Sequence, residues 1–114
     1  MKVKIYGIKT CSSVKKTIKY LKDNNIDFEF IDFKVTPINE NKIKEWLKQV
    51  NLNVLFNTKS KTYRDLKLKE LNLNSDDKIK WMAKENLLIK RPVVEYKDKV
   101  LVGLDLELYE KEFK

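Results

Sequence analysis

The first 33 residues carry two apolar patterns in succession, the first typical of a strand and the second of a helix. Val3 and Ile5 share one face of an extended segment, which ends at Gly7. Apolar residues then recur at the spacing of a helix, with one threonine beside them. This stripe consists of Val14, Thr17, Ile18 and Leu21. The pattern predicts a short strand, a loop and an amphipathic helix.

A second strand is predicted over residues 27–33, after a helix stop signal at Asn24 and Asn25. The run is rich in β-prone residues, and Phe28 and Phe30 fall on one face of it. Two strands joined by a helix form a βαβ unit. We therefore expect these strands to be parallel, with a right-handed crossover.

The segment that follows, residues 36–90, predicts a helical insertion. Capping residues, a proline at a first helical position and paired acids indicate three helix starts. The starts lie at Thr36-Pro37, at Thr62 and at Ser75-Asp76-Asp77, and the last helix is expected to end at Asn86. Residues 57–62 are polar and typical of a loop. The expected inward-facing residues are Ile43, Trp46, Leu47, Val50, Ile79, Met82 and Ala83.

The C-terminal part predicts a hairpin and a final helix. Arg91-Pro92 leads into the first strand of the hairpin, a tight turn follows at Lys97–Lys99, and Gly103 ends the second strand. Asp105 is expected to cap a helix whose inward-facing residues are Leu106, Tyr109 and Phe113. The whole order is βαβ, helices, then ββα. It predicts an α/β fold in a single domain, residues 1–114, with a thioredoxin/glutaredoxin-like mixed four-stranded sheet.

Charge changes this picture little. The net charge is +8, from 25 basic and 17 acidic residues, and all basic residues except Arg64 and Arg91 are lysine. Such a balance is compatible with nucleic-acid or acidic partners. However, the lysines are interleaved with acids along the whole chain, and no stretch interleaves aromatic residues with arginine as a nucleic-acid surface would. We interpret the lysines as solvated helix faces and expect no direct nucleic-acid contact.

Several classes of protein and site are excluded by composition. No apolar run approaches membrane-spanning length, and the N-terminal one is too short for a signal peptide. A single cysteine excludes an internal disulfide and predicts a cytoplasmic protein. With no histidine, the chain lacks the usual zinc sites and any histidine-based triad. No metal or bound cofactor is therefore predicted.

The single cysteine, Cys11, lies at or just before the predicted helix start. Thr10, Ser12 and Ser13 around it are good capping residue types. Unpaired amide groups and the positive end of the helix dipole favour thiolate over thiol at such a position, and nearby lysines add to the effect. The alternative is a small buried hydrophobe, which is common for a lone cysteine.

The two arginines form the second candidate feature. In a chain that otherwise uses lysine, Arg64 and Arg91 each lie beside a predicted turn. Because the guanidinium fork matches oxyanions bidentately, both are candidate anion ligands. The alternative is that both are surface residues. Arg91 precedes Pro92 at the start of a strand, where a cis peptide bond is expected to direct backbone groups towards the cysteine loop.

Four stretches in order, IYGIKTCSSVKK, LFNTKSKTYRDLKL, LIKRPVV and VLVGL, resemble the arsenate reductase-related (ArsC/Spx/YffB-like) family over nearly the whole chain. The resemblance implies a thioredoxin-like fold with a helical insertion and a nucleophile at Cys11. It also implies an anion site with Arg91 before a cis Pro92. Lys15 occupies a position that is basic in arsenate reductases of the family, and Arg64 lies in the middle motif.

The chain also departs from the family pattern. Val14 stands where Spx-branch redox switches have a second cysteine, and Lys59 stands where many relatives have arginine. The histidine that often precedes the cysteine in strict arsenate reductases is absent. The sequence is therefore most similar to the YffB-like branch. Lys59 offers a positive charge without the guanidinium fork.

These features predict a thiol-dependent oxidoreductase in which Cys11 attacks an oxyanion or a disulfide substrate. Lys15, Lys59, Arg64 and Arg91 would hold negative charge on the substrate. Without a resolving cysteine, turnover needs an external thiol, glutathione or a similar small thiol, or a glutaredoxin. A rival prediction is an Spx-like regulator that binds RNA polymerase without a redox switch. A third is a member with a purely structural role.

Overall fold

The computed structural model describes residues 2–114 and contains the predicted mixed sheet of four strands. The strands are β1 (Val3–Gly7), β2 (Phe28–Asp32), β3 (Val93–Tyr96) and β4 (Lys99–Val102), in the spatial order β2-β1-β3-β4. β1 pairs with β2 in parallel and with β3 antiparallel, and β3 and β4 form an antiparallel hairpin. The thioredoxin/glutaredoxin-like fold class predicted from sequence is confirmed.

Helices connect and cover these strands. They are α1 (Ser12–Asp23), α2 (Glu40–Trp46), α3 (Leu52–Leu55), α4 (Lys61–Asp65), α5 (Ser75–Lys84) and α6 (Leu106–Phe113). Two short 3₁₀ turns cover Leu68–Leu71 and Asn86–Leu88. Four of the helices fall between β2 and β3, within the predicted insertion. Within residues 2–114, no helix is both long and apolar enough to cross a bilayer.

The sheet separates two apolar layers, because successive strand residues point to opposite faces. On one face, Val3, Ile5 and Val94 pack with Leu21 of α1 and Tyr109 of α6. On the other face, the core is contributed by Tyr6, Val93 and the insertion residues Ile43, Trp46, Leu55, Leu68 and Met82. The insertion therefore contributes most of the apolar core on one face of the sheet.

One predicted helix start is wrong. The helix after β2 begins at Glu40 and not at Thr36-Pro37, and its cap is Asn39, whose side chain accepts from the Lys42 amide. The Asn86 side chain explains the shift. Its amide oxygen accepts from Ile38 N at 2.8 Å and its amide nitrogen donates to Ile38 O at 3.0 Å, so Ile38 cannot use those groups within a helix.

The predicted start of the next short helix, at Thr62, is also wrong. Ser60 caps α4, its hydroxyl accepting from Tyr63 N at 3.1 Å, and Thr62 lies inside the helix. A turn back to Asn57 places Ser60 there, since both Ser60 N and Ser60 Oγ donate to Asn57 O. This contact therefore places the cap two residues before the predicted one.

Two smaller expectations also fail, and one short helix was not predicted. α5 ends at Lys84 and not at Asn86, because the Asn86 amide turns back to bond Met82 O and Ile38 O. Leu106, expected to face inward, is 50% exposed because it is the first residue of α6, and Leu108 packs against the core instead. The short helix α3 was not predicted. Four residues are too few for a helical period to show in a sequence.

Gly7 permits the close approach between β1 and α1 that places the cysteine. A Cβ on Gly7 would lie 2.6 Å from Cγ2 of the buried Val14. We expect Gly7→Ala to lower the free energy of unfolding by about 1–3 kcal/mol, the usual cost of overpacking. Urea unfolding measures this. The same substitution in a Val14→Ala background should cost much less, and an equal cost there would contradict the proposed clash.

Candidate functional site

Cys11 occupies the N-cap of α1, as predicted. After β1 the chain turns back so that Cys11 N donates to Ile8 O at 3.3 Å, and Cys11 O accepts the first helical bond from Lys15 N at 3.0 Å. The side chain makes no capping hydrogen bond and is half-buried against the core on the insertion face. The cap is Cys11 itself and not Thr10, Ser12 or Ser13. Its sulfur is therefore not used in holding the helix.

Lys15 lies one helical turn after Cys11, on the same face of α1. It is exposed, and no carboxylate among residues 2–114 pairs with it. The first-turn amides of a helix have no partners within the helix. An anion at the start of α1 would therefore meet both unpaired amide groups and a free ammonium group.

Pro92 follows a cis Arg91–Pro92 peptide bond, which confirms the sequence prediction. Val93 pairs with Tyr6 in the antiparallel β1–β3 ladder, so buried Pro92 lies beside the C-terminal end of β1. Cys11 leaves the sheet at that same end. Sheet register thus places Arg91-Pro92 and the cysteine loop at one edge of the molecule, although they are 80 residues apart in sequence.

Arg91 is half-buried, and backbone carbonyls hold one side of its guanidinium. Nη1 donates to Leu87 O at 2.7 Å and to Ile89 O at 3.4 Å. Nε is buried and has no hydrogen-bond acceptor among residues 2–114. An unsatisfied buried donor costs about 1–3 kcal/mol. The arrangement fixes the guanidinium by one nitrogen, Nη1, and leaves Nε without an acceptor in the described part of the chain.

Lys59 and Arg64 lie on a loop and helix next to the segment that leads into Arg91. An isolated antiparallel bridge joins Phe56 to Ile89, and Asn57 N donates to Leu88 O at 2.8 Å. Both Lys59 and Arg64 are exposed, and Arg64 Nη1 donates to Lys59 O at 2.9 Å. Arg64 therefore holds the loop in shape with part of its guanidinium.

The predicted site residues fall into two groups. One group lies at the end of the sheet where β1 ends and β3 begins, and it consists of Cys11, Lys15, Arg91 and Pro92. Lys59 and Arg64 form the second group. They follow Phe56, which the isolated bridge joins to Ile89, and they make no hydrogen bond with the other four within residues 2–114. Sequence reasoning missed Asn57 and the carbonyls of Leu87 and Ile89, which set these positions. No local pattern signals them, because they act through a bridge between distant segments.

Comparison with known proteins agrees with this architecture. The sequence profile of the ArsC family matches residues 6–112. An uncharacterized protein of Haemophilus influenzae is 33% identical over 112 residues, 97% of this chain and 98% of that protein. The solved structure of a protein named YffB superposes with a TM-score of 0.90 at 27% identity, covering 96% of this chain and 97% of the other.

Two relatives with named activities lie further away. An arsenate reductase of Neisseria meningitidis is 26% identical over 108 residues, which are 92% of each protein. The global transcriptional regulator Spx 2 of Bacillus anthracis is 22% identical over 107 residues, 92% of this chain and 82% of the regulator. The family profile spans nearly the whole chain and includes both the cysteine loop and the Arg91-Pro92 step. This chain therefore belongs to the ArsC family.

Proposed function

We propose that the protein is a thiol-dependent oxidoreductase whose nucleophile is Cys11 and whose substrate is an oxyanion or a disulfide with anionic groups. Membership of the ArsC family and the arsenate reductase relative support the general class of activity. Cys11, Lys15 and Arg91, which lie at the end of the sheet where β1 ends and β3 begins, support the specific mechanism.

The Arg91 guanidinium carries the proposal. Its Nη1 donates to two carbonyls, while its buried Nε has no acceptor within residues 2–114, so the group is both fixed and incompletely satisfied. Arginine binds oxyanions through two parallel hydrogen bonds, which are shorter and stronger than neutral ones. Nη2 makes no hydrogen bond within residues 2–114 and is not buried, so an anion would bind there and bring an acceptor beside Nε. The cysteine loop lies at the same end of the sheet, which provides a nucleophile for such an anion.

With an oxyanion as substrate, the Cys11 thiolate forms a bond to the central atom and a hydroxide or water leaves. An external thiolate then attacks the Cys11 sulfur, and the bonding electron pair departs with the substrate, which is reduced by two electrons. This leaves Cys11 in a mixed disulfide. A second external thiolate attacks the external sulfur, so the Cys11 thiolate returns and a small disulfide is released.

The external thiol is required because no second cysteine exists. Val14, three residues after Cys11, is fully buried and packs against Gly7. Glutathione, another small thiol or a glutaredoxin would supply the electrons, and a reducing cytoplasm would keep these thiols available. With glutathione disulfide as substrate, thiolate attack gives the same mixed disulfide directly. Lys15, Lys59 and Arg64 would then attract the glutathione carboxylates to this side of the molecule.

Mass spectrometry of the trapped thiol tests the proposal. The protein is incubated separately with arsenate and with glutathione disulfide, and the mass of the peptide that contains Cys11 is measured. We expect a glutathione adduct, or an adduct with arsenic, on Cys11. If the folded protein forms neither adduct, the proposal is contradicted.

Arg91→Lys should weaken anion binding although charge is conserved, because the ammonium group cannot present two parallel donors. We expect a loss of about 1.5–3 kcal/mol in binding free energy, as for a hydrogen bond to a charged group. Isothermal titration with glutathione disulfide or phosphate measures it. Lys90→Ala, which removes a whole charge next in sequence, is the matched control. A larger effect of Lys90→Ala would indicate general electrostatic attraction instead.

A second candidate function is an Spx-like regulator that binds RNA polymerase. The relationship to Spx 2 and the net charge of +8 favour it. A redox-switched regulator of this kind would need a second cysteine, which this chain lacks. The candidate is therefore a constitutive regulator, and it predicts polymerase binding that does not depend on the Cys11 thiol.

A further inference from the structure

A series of short polar contacts connects the first turn of α1 with Pro92. Thr17 Oγ1 donates to Ser13 O at 3.0 Å and lies 3.3 Å from Tyr109 Oη. Tyr109 Oη donates to Gly103 O at 2.8 Å, and Gly103 N donates to Pro92 O at 2.8 Å. Both ends of the series adjoin the candidate site. Ser13 is two residues after the nucleophile, and Pro92 is next to Arg91.

The two hydroxyl groups in the middle are completely buried. Thr17 and Tyr109 are 0% exposed, and their two protons serve three oxygen contacts. When both hydroxyls donate to carbonyl oxygens, no proton lies between Thr17 Oγ1 and Tyr109 Oη, and these two oxygens are only in contact. Burial raises the pKa of Tyr109, so its hydroxyl remains a donor at neutral pH. Removal of that hydroxyl would leave Gly103 O without this donor.

Gly103 makes the connection sensitive to geometry. It lies in the left-handed region with a φ of 88°, directly after β4, and one residue supplies both the donor to Pro92 and the acceptor for Tyr109. Gly103 thus connects Tyr109 of α6 to Pro92 through two hydrogen bonds. On its other side, Tyr109 contacts α1, the helix that carries the cysteine.

We propose that Tyr109 is a positioning residue, whose hydroxyl sets the placement of the Arg91-Pro92 step relative to the first turn of α1. This positioning role rests on the proposed function, because the role concerns the alignment of Cys11 with the anion site. Tyr109 does not touch the substrate in this proposal. It acts through Gly103 and Thr17, from the sheet face opposite the insertion.

Two alkylating reagents of similar size test the alignment. Iodoacetate carries a carboxylate, whereas iodoacetamide is neutral, and both react by thiolate attack on carbon with loss of iodide. The ratio of their rates therefore reports whether a positive group is aligned with the Cys11 sulfur, independently of any turnover. The ratio is measured for the wild type, Tyr109→Phe, Thr17→Val and free cysteine, under conditions where urea unfolding shows each protein to be folded.

Tyr20→Phe is the matched control. Tyr20 lies 5.6 Å from the Tyr109 ring, centroid to centroid, but its hydroxyl bonds the exposed Glu110 and not the series of contacts. We expect the wild type to prefer iodoacetate relative to free cysteine and Tyr109→Phe to lose this preference severalfold. Thr17→Val should lose less and Tyr20→Phe none.

The possible outcomes separate the two proposals. If Tyr109→Phe keeps the wild-type ratio and only its stability falls, Tyr109 is structural and the positioning role is wrong, while the anion site stands. If the wild type already shows the ratio of free cysteine, the anion site is wrong and the positioning role fails with it. An equal loss in Tyr20→Phe would assign the effect to the aromatic cluster in general and would also overturn the proposal.

Discussion

Cys11→Ser should abolish thiol-dependent reductase activity while leaving the fold intact. Serine retains the size and the capping ability of the N-cap position, but its hydroxyl is a far poorer nucleophile at neutral pH. Loss of a catalytic nucleophile costs on the order of 10³-fold or more in turnover. Because the Cys11 side chain makes no capping hydrogen bond, we expect the free energy of unfolding to change by less than about 1 kcal/mol.

Two assays on the same pair of proteins distinguish an enzyme from a regulator. Glutathione-coupled turnover is measured for the wild type and Cys11→Ser, and both are tested for capture of RNA polymerase. An enzyme loses turnover in the variant. A constitutive regulator shows no turnover with any small thiol and captures polymerase equally in both forms, an outcome that would contradict the proposed oxidoreductase. Exposed lysines away from Cys11 would then be the residues to substitute.

Sequence predicted the sheet and the cysteine loop because both depend on local patterns. The β1–α1–β2 unit, the hairpin and the position of Cys11 follow from alternation, helical spacing and capping types within short windows. The four ordered motifs added the cis Arg91–Pro92 bond, which the structure contains. These features need no knowledge of which distant residues meet.

The remaining features depend on contacts between distant segments. The start of α2 is decided by Asn86, which lies 48 residues after Ile38 in sequence. The orientation of Arg91 is set by carbonyls whose segment is held by a bridge to Phe56. A hydropathy pattern carries no information on such pairings. Consequently, the sequence predicted candidate residues for the site but not the orientation of the Arg91 guanidinium.

Glu95 is another residue that no sequence pattern singled out, and it joins α2 to the sheet. Its carboxylate accepts from Tyr6 Oη at 2.8 Å, from Trp46 Nε1 at 2.7 Å and from Lys42 Nζ at 2.7 Å. The side chain is 17% exposed, and the Tyr6 and Trp46 rings meet edge to face with centroids 5.0 Å apart. One carboxylate thus accepts from three donors on the insertion face, one on β1 and two on α2.

Glu95→Gln should lower the free energy of unfolding at neutral pH by about 2–4 kcal/mol. The variant loses the charge that pairs with Lys42, and its amide nitrogen cannot accept from Trp46 or Tyr6, so a donor is left without its acceptor. Urea unfolding measures the change. Glu29→Gln on β2 is the matched control. Glu29 is exposed and forms no salt bridge within residues 2–114, so this substitution should change stability by less than about 0.5 kcal/mol.

The pH dependence of this difference tests the cause. Burial by itself would raise the pKa of Glu95, but hydrogen bonds from Lys42, Trp46 and Tyr6 outweigh it and lower the pKa below its ordinary value. A carboxylate with a depressed folded pKa stabilises the protein above the unfolded value of about 4.3, and this stabilisation is lost as the pH falls through the folded pKa. The wild type and Glu95→Gln should therefore converge in stability on acidification. A difference that stays constant from neutral pH to well below the carboxylate range would assign the effect to side-chain shape and not to charge.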